Sequence, residues 1–340
     1  MERIRLGRTG LMVGRSGFGA IPIQRLSFDE AKYLLCKAFD NGINFFDTAR
    51  AYTDSEEKIG YALAGVRDKI IIATKSQGQD GDSVLCDLEI SLRNLKTDYI
   101  DIYQLHNPQN LGESGDSNSS YEALIKAKEK GMIRFLGFTN HRSETALKAV
   151  KSGLFDTLQF PLSPLSTEEE LKLIDECRKE DVGVIAMKAL SGGLITNAAS
   201  SFAFLRQYDN VLPIWGIQKE AELDEFLTWE QTPPQLDTKM WQVIKKDRKE
   251  LGGAFCRGCG YCLPCPAGIP IPMAARMSLL LRRMPYQQFL ADNWRVNMDA
   301  IEACQECGHC TSHCPYQLDT PNLLREMLRD YREFYQVHQK

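Results

Sequence analysis

Apolar and polar positions along this chain alternate between two kinds of stretch. Short, mostly apolar runs are each followed by a segment with the three-to-four-residue spacing of an amphipathic helix. The runs Ser16–Ala20, Ile43–Phe46, Lys69–Thr74, Tyr99–Leu105, Ile133–Phe138, Thr157–Phe160, Val182–Met187 and Val211–Trp215 predict strands. Helices are predicted after them, in turn, over Phe28–Asn41, Ser55–Leu63, Val84–Asn94, Tyr121–Lys130, Ser143–Ser152, Thr167–Glu180, Ser200–Gln207 and Ala221–Leu227. Ser27 is placed to cap the first helix and Gly42 to end it. No unit of this kind buries its strand alone. The repetition therefore predicts an α/β fold in which a parallel sheet closes as a (β/α)8 TIM barrel. An open, doubly wound sheet is the alternative, but no Gly-x-Gly-x-x-Gly follows the first strand. Residues 2–13, turning at Arg8-Thr9-Gly10, predict a hairpin that plugs one end of the barrel.

After Thr228 the pattern changes. Gln231-Thr232-Pro233-Pro234-Gln235 reads as a linker, and a charged helix over Thr238–Leu251 leads through Gly252-Gly253 into a cysteine-rich region. The predicted division is residues 1–235 for the barrel and 236–340 for a smaller, mainly helical domain. A chain of 340 residues has room for both. A formal net charge of −4 gives no general attraction to nucleic acid or anionic membrane. No apolar run approaches the roughly 20 residues that span a bilayer, and Met1-Glu2-Arg3-Ile4-Arg5 has no secretory apolar region. Of the cysteines, Cys36, Cys86 and Cys177 are scattered through helical patterns and are expected to be core thiols. The other eight crowd between Cys256 and Cys314. That usage predicts a reducing, cytoplasmic setting.

Candidate chemistry gathers at the strand ends. Ile43–Phe46 runs into Asp47, with Tyr52 in the following turn. Lys69–Thr74 delivers Lys75, Tyr99–Leu105 delivers His106, and Ile133–Phe138 delivers Thr139-Asn140. In a βα-repeat barrel the carboxyl ends of strands carry the site. Reducing a carbonyl needs a hydride donor and a proton donor at the oxygen. Tyrosine is a weak acid, with an ordinary pKa of about 10. A neighbouring ammonium favours its phenolate, and a carboxylate holds that ammonium. Asp47, Tyr52 and Lys75 supply the three parts, and His106 is placed to orient the carbonyl oxygen. The long connection from His106 to Tyr121, rich in Asn, Gly, Ser and Asp, reads either as an overhang on the substrate pocket or as a plain surface loop.

With these residues in view, residues 1 to about 230 resemble the aldo-keto reductases. The matching segments are Gly7-Arg-Thr-Gly-Leu11, Asn44-Phe-Phe-Asp-Thr48 with Tyr52 and Ser55-Glu56, Ala73-Thr-Lys75, Asp101-Ile-Tyr-Gln-Leu-His106 and Gly137-Phe-Thr-Asn140. The resemblance implies a nicotinamide nucleotide, NADP(H) or NAD(H), bound at the carboxyl end of the barrel without a Rossmann motif. It implies the catalytic tetrad Asp47, Tyr52, Lys75 and His106, with Tyr52 as proton donor. It also implies that Thr139, Asn140 and Gln159 hold the nicotinamide carboxamide. Met187 stands where the family usually stacks an aromatic ring. The pyrophosphate is expected along Leu190-Ser-Gly-Gly-Leu194, including Gly192, where glycines permit close approach. Gly216 and Gln218 complete the expected nucleotide contacts. Glu222 falls about where the family carries an arginine for a 2′-phosphate, and Lys219 is the only cation of that segment.

Cys256-x-x-Cys259-x-x-Cys262-x-x-Cys265-Pro266 and Cys304-x-x-Cys307-x-x-Cys310-x-x-x-Cys314-Pro315 have the spacing of [4Fe–4S] loops. Two structural zinc sites are the alternative, although zinc favours separate Cys-x-x-Cys pairs. In two-cluster ferredoxins the fourth cysteine serves the other cluster. Carried over, that pairs Cys256, Cys259 and Cys262 with Cys314, and Cys304, Cys307 and Cys310 with Cys265. The first run is one residue shorter than usual before its last cysteine. His309 and His313 are expected to be neighbours or surface residues rather than ligands. Between the runs, Met273–Arg283 and Tyr286–Met298 predict helices, and Thr320–Gln336 a closing helix. The arrangement is similar to α-helical ferredoxin modules, and the whole chain to iron–sulfur-containing aldo-keto reductases.

The expected function is a nicotinamide-dependent oxidoreductase acting on an aldehyde or ketone and its alcohol, with two [4Fe–4S] clusters for structure or for electron transfer to a redox partner protein. The alternative is an electron-transfer or binding protein whose barrel is not catalytic; a nucleotide titration separates the two. No flavin motif is present to split a hydride into single electrons. The last 85 residues carry few large apolar residues per element, so the thiolate shell is expected to contribute to their folding.

Overall fold

The computed structural model describes residues 1–251 and 255–338; the expected Gly252-Gly253 passage lies outside them. The chain divides into two compact units. One is Met1–Ala189 with Ala199–Trp241, and the other is Leu190–Ala198 with the chain from Gln242 onward.

The first unit is a closed, all-parallel eight-stranded barrel entered through a hairpin. Strands β1 (Arg3–Arg5) and β2 (Met12–Gly14) pair antiparallel around a turn of 3-10 helix at Gly7–Thr9. The barrel strands are β3 (Gly17–Gly19), β4 (Phe45–Asp47), β5 (Ile71–Ser76), β6 (Ile100–His106), β7 (Ile133–Thr139), β8 (Thr157–Pro161), β9 (Gly183–Met187) and β10 (Val211–Gly216), which pairs back onto β3. Helices α1 (Phe28–Asp40), α2 (Ser55–Leu63), α3 (Gly81–Leu95), α4 (Ser120–Glu129), α5 (Ser143–Ser152), α6 (Glu168–Lys179), α7 (Ala198–Arg206) and α8 (Glu220–Gln231) follow the strands in turn. Ser27 closes a capping box with Glu30 at the start of α1. Strand β5 begins two residues later than the apolar run and ends two later, so Lys75 lies within the strand.

Ile4, Leu6, Leu11 and Val13 of the hairpin share one buried cluster with Phe45, Ile71, Ile102, Ile185, Leu212 and Ile214 from the barrel strands. The hairpin therefore fills the amino end. Gly7, at φ +50°, is pressed against the start of β9: a Cβ there would lie 2.2 Å from the Gly183 nitrogen. Only glycine fits that approach. Closing the amino end this way leaves the carboxyl end, with its strand-terminal side chains, as the open face.

Of the scattered cysteines, Cys177 is buried and Cys36 partly so, but Cys86 is exposed on α3. The expectation of a core thiol fails there because Cys86 falls on the helix face opposite Val84 and Leu88, which are buried.

The second unit is helical: α9 (Thr238–Leu251), which begins in the first unit, then α10 (Ile271–Ala274), α11 (Met277–Arg283), α12 (Asp292–Asp299), α13 (His309–Ser312) and α14 (Thr320–His338). Two expected helices are interrupted. Met273–Arg283 breaks at Arg276 (φ −120°, ψ 5°), whose Nε donates to the Pro272 carbonyl at 2.7 Å. Tyr286–Leu290 is 3-10 helix rather than the first turn of α12. The few large apolar residues of each element nonetheless meet in a core. Met277, Leu280, Leu281, Phe289, Met298, Ile301, Leu324, Leu328 and Tyr331 are buried, and the Tyr331 hydroxyl donates to the Phe289 carbonyl at 2.9 Å. These apolar residues are sparse within each short element but converge from five of them. No helix among the described residues is long and apolar enough to cross a membrane.

Candidate active site and cysteine cavities

Strand register sets the barrel site. Asp47 pairs with Ala73, Lys75 with Gln104, His106 with Thr139 and Thr139 with Gln159. Each polar residue thus lies beside the next at the carboxyl ends of β4 to β8. Lys75 Nζ donates to both Asp47 oxygens, at 2.7 and 2.8 Å, and to the Thr48 carbonyl at 2.5 Å. Both side chains are almost wholly buried, Lys75 at 0% and Asp47 at 3% exposure. Burial pushes the Asp47 carboxyl up and the Lys75 ammonium down, and each opposes the shift in the other. The Lys75 ammonium lies 5.4 Å from the centre of the Tyr52 ring, and Tyr52 and His106 meet edge to face at 6.0 Å. Burial, with help from Lys75, holds His106 down at about 3, so its imidazole is neutral. The four residues expected to act together are in one place.

A second chain of amides runs behind them. Thr139 Oγ1 donates to Gln104 Oε1 at 2.9 Å, Gln104 Nε2 to Gln159 Oε1 at 2.8 Å, and Gln159 Nε2 to Asp47 Oδ2 at 3.4 Å. Gln104 was not singled out in the sequence, although it sits two residues before His106 and so shares its face of β6. Gly137 leaves room for it: a Cβ there would lie 2.5 Å from Gln104 Cγ. Asn140 Nδ2 donates to the Pro108 carbonyl at 2.9 Å, tying β7 to the loop after His106. That loop is also held at its far end, where Gly81 donates to the Asn118 carbonyl at 2.7 Å and Ser119 caps α4.

For a nicotinamide carboxamide the residues fit: Thr139 Oγ1 keeps acceptor capacity after donating, and Gln159 is locked in one orientation by two bonds. Met187 lies at the carboxyl end of β9, 9% exposed. At β10, Gly216 is exposed, and Gln218 Oε1 accepts from Arg25 Nη1 at 2.9 Å. Arg25 is a cation that the sequence of the β10 segment alone does not reveal. Glu222 does not stand free beside a phosphate position. Its Oε2 accepts from the Gln218 and Lys219 amides, at 2.9 and 3.1 Å, capping α8.

In the second unit, Leu190 and Gly192 lie on the segment that leaves β9. Gly192 (φ +68°) offers its carbonyl to Arg276 Nη1 at 3.0 Å, and Arg283 Nε donates to the Leu194 carbonyl at 2.8 Å. Arg283 is itself held by Glu250 at 2.6 Å and by Asp247.

The eight clustered cysteines line two cavities. The first is lined by Cys256, Cys259, Cys262, Cys310 and Cys314, with Ile271, Tyr316 and Leu318. The second is lined by Cys262, Cys265, Cys304, Cys307 and Cys310, with Ile269 and Leu324. Each cavity thus takes three cysteines from one run and the last two of the other. Among the described residues no three ligand groups converge as for a single metal ion. The Gly258 amide donates to Cys256 Sγ at 3.4 Å. Burial pushes Cys256 and Cys310 up and Cys262 up to about 12, with the neighbouring Cys256 and Cys259 adding to Cys262. An all-thiol donor set with apolar walls and an amide aimed at sulfur fits an iron–sulfur cluster, whose positive core offsets the cost of gathering thiolates. The His309 and His313 rings face each other at 4.1 Å.

The aldo/keto reductase family model matches residues 11–203, and the 4Fe-4S dicluster domain model matches residues 255–319. The uncharacterized oxidoreductase YqkF of Bacillus subtilis is 31% identical over 213 residues, covering 58% of this chain and 67% of its own. L-galactose dehydrogenase of Arabidopsis thaliana is 32% identical over 215 residues, with the same shares covered. An aldo-keto reductase from Klebsiella pneumoniae, solved in complex with NADPH, shares the fold at a TM-score of 0.63 and 21% identity, over 72% of this chain and 94% of its own. The chain therefore belongs to the aldo/keto reductase family of oxidoreductases and carries a 4Fe-4S dicluster ferredoxin domain toward its C-terminal end.

Proposed function

We propose that this protein is a nicotinamide-dependent oxidoreductase that interconverts an aldehyde or ketone with its alcohol, and that two [4Fe–4S] clusters occupy the cysteine cavities. The observation that carries the first part is the Lys75 ammonium, fixed by Asp47 at 2.7 Å and facing the Tyr52 ring at 5.4 Å. A bound nicotinamide nucleotide supplies or accepts the hydride. Tyr52 gives its phenolic proton to the carbonyl oxygen as that oxygen gains charge. Lys75 stabilises the phenolate left behind, and Asp47 with the Thr48 carbonyl keeps Lys75 protonated and in place. Neutral His106 donates a hydrogen bond to the same oxygen and orients it. In alcohol oxidation the proton moves back to Tyr52.

Thr139, Asn140, Gln159, Met187, Leu190, Gly192, Gly216 and Gln218 are the proposed nucleotide contacts. Glu222 supports NAD(H) over NADP(H). Its carboxylate already satisfies the amide end of α8 that would otherwise receive a 2′-phosphate. The proposed cluster ligands are Cys256, Cys259, Cys262 and Cys314 in one cavity and Cys304, Cys307, Cys310 and Cys265 in the other. The surroundings are proposed to be cytoplasmic, and the partners a small carbonyl compound and a redox protein.

The test is Tyr52→Phe. Turnover should fall by about 10²–10⁴, while NADH and NADPH dissociation constants, measured by fluorescence titration, stay within about threefold. Full activity in that variant, or no nucleotide binding by the unchanged protein, would overturn the reading and favour a non-catalytic barrel.

A further inference from the structure

Arg50 lies in the same turn as Asp47 and Tyr52, and its backbone amide donates to the Lys75 carbonyl at 3.0 Å. The residue is thereby fixed at the rim of the tetrad. Its side chain is half-buried, and Nε is buried without a hydrogen-bond partner. Among the described residues no carboxylate, carbonyl or hydroxyl meets the guanidinium.

This contrasts with three of the four other half-buried arginines of the barrel unit; the fourth, Arg142, leaves no buried nitrogen unpaired. Arg15 is held by Glu2 and the Arg206 carbonyl, Arg67 by Asp101 and the Ile70 and Tyr99 carbonyls, and Arg206 by Glu2 and Glu230. The acids near Arg50 in the chain are already committed. Asp47 holds Lys75, Asp54 holds Lys58 at 2.7 Å, and Glu56 accepts from Thr74 and Asn94. A guanidinium is always charged, and a buried donor left without an acceptor is costly. An anionic group beside the tetrad would supply that acceptor.

We propose that Arg50 is a specificity-determining residue that pairs with a carboxylate or phosphate on the substrate, so that the preferred substrates are anionic carbonyl compounds. This rests on the oxidoreductase reading of the tetrad. The planar fork of Arg50 suits a carboxylate in two-point contact. Lysine, a point charge on a different stem, replaces it only in part.

Matched aromatic aldehydes test the assignment: 4-carboxybenzaldehyde against 4-nitrobenzaldehyde, with the cluster-loaded full chain. The unchanged protein should favour the carboxylate by at least tenfold in kcat/KM. Arg50→Gln should raise KM for it at least tenfold, with a loss on the nitro compound at least fivefold smaller. Arg50→Lys should recover part of the preference. Calorimetric binding of the two aldehydes to the Tyr52→Phe protein, with and without Arg50→Gln, reads the same preference without turnover. If the tetrad reading fails, turnover is absent but the binding preference still judges Arg50. Equal binding of the two aldehydes, or a preference that survives Arg50→Gln, overturns the proposal.

Discussion

Arg276 Nη1 donates to the Gly192 carbonyl at 3.0 Å, and the same guanidinium lies against Gly258, where an added Cβ would stand 3.0 Å from Arg276 Cζ. The segment that leaves β9 is thus fastened to the loop carrying Cys256 and Cys259. Arg276→Leu removes a charge-assisted hydrogen bond of about 1.5–3 kcal/mol. The expected result is weaker NADH binding by about tenfold, together with faster loss of visible cluster absorbance in air. Unchanged values of both would dissociate the nucleotide segment from the cysteine loop.

The Asp47–Lys75 pair predicts a strong asymmetry. Lys75→Met leaves a buried carboxylate with no counter-charge and should destabilise the barrel by about 3–5 kcal/mol. Combining it with Asp47→Leu should recover much of that loss, because the two sites act as a unit. Denaturant unfolding of the single and double variants gives the coupling. Additive losses would contradict it.

His106 predicts a pH dependence with a definite sign. Its folded value, about 3, lies below the unfolded value of 6.5. Between those values the unfolded chain holds a proton that the native chain does not. This contribution is therefore complete above pH 6.5 and is lost as pH falls through the window. Its slope is at most about 1.4 kcal/mol per pH unit, and less in practice because the ring keeps some solvent access. Wild type minus His106→Gln, compared by urea unfolding from pH 7 to 4, should show the difference narrowing toward acid. A constant difference would refute it.

Removal of iron should act on part of the second unit only. Helices α11, α12 and α14 carry an apolar core of their own, whereas the cysteine loops rest on the cavities they line. Hydrogen exchange after chelation should therefore rise over residues 255–269 and 304–319, change less in those helices, and stay unchanged in the barrel strands. NADH or NADPH alone should not bleach the loaded protein rapidly under anaerobic conditions. Rapid bleaching without flavin or partner would mean that the barrel and the clusters exchange electrons directly.

The barrel was legible because its signals are local. A buried strand ending in Asp47 or His106 is written within a few consecutive residues, and the register that joins Lys75 to Gln104 follows from eight such units closing. Gln104 and Arg25 were missed because their roles depend on which strand or loop lies beside them. The capping role of Glu222 was missed for a related reason: it depends on which amides lie at the start of α8. The break at Arg276 had no proline or glycine to announce it; a side chain reaching Pro272 makes it. Cys86 shows the limit of helical spacing when one position falls beyond the buried face.

Cys262 and Cys310 each line both cavities. Clusters held in the two cavities would have these two side chains in common. Each core stores one electron, and the pair together stores two, the number that a single hydride carries. The second unit would then behave as a matched capacitor. It would hold the equivalent of one hydride as two separate electrons.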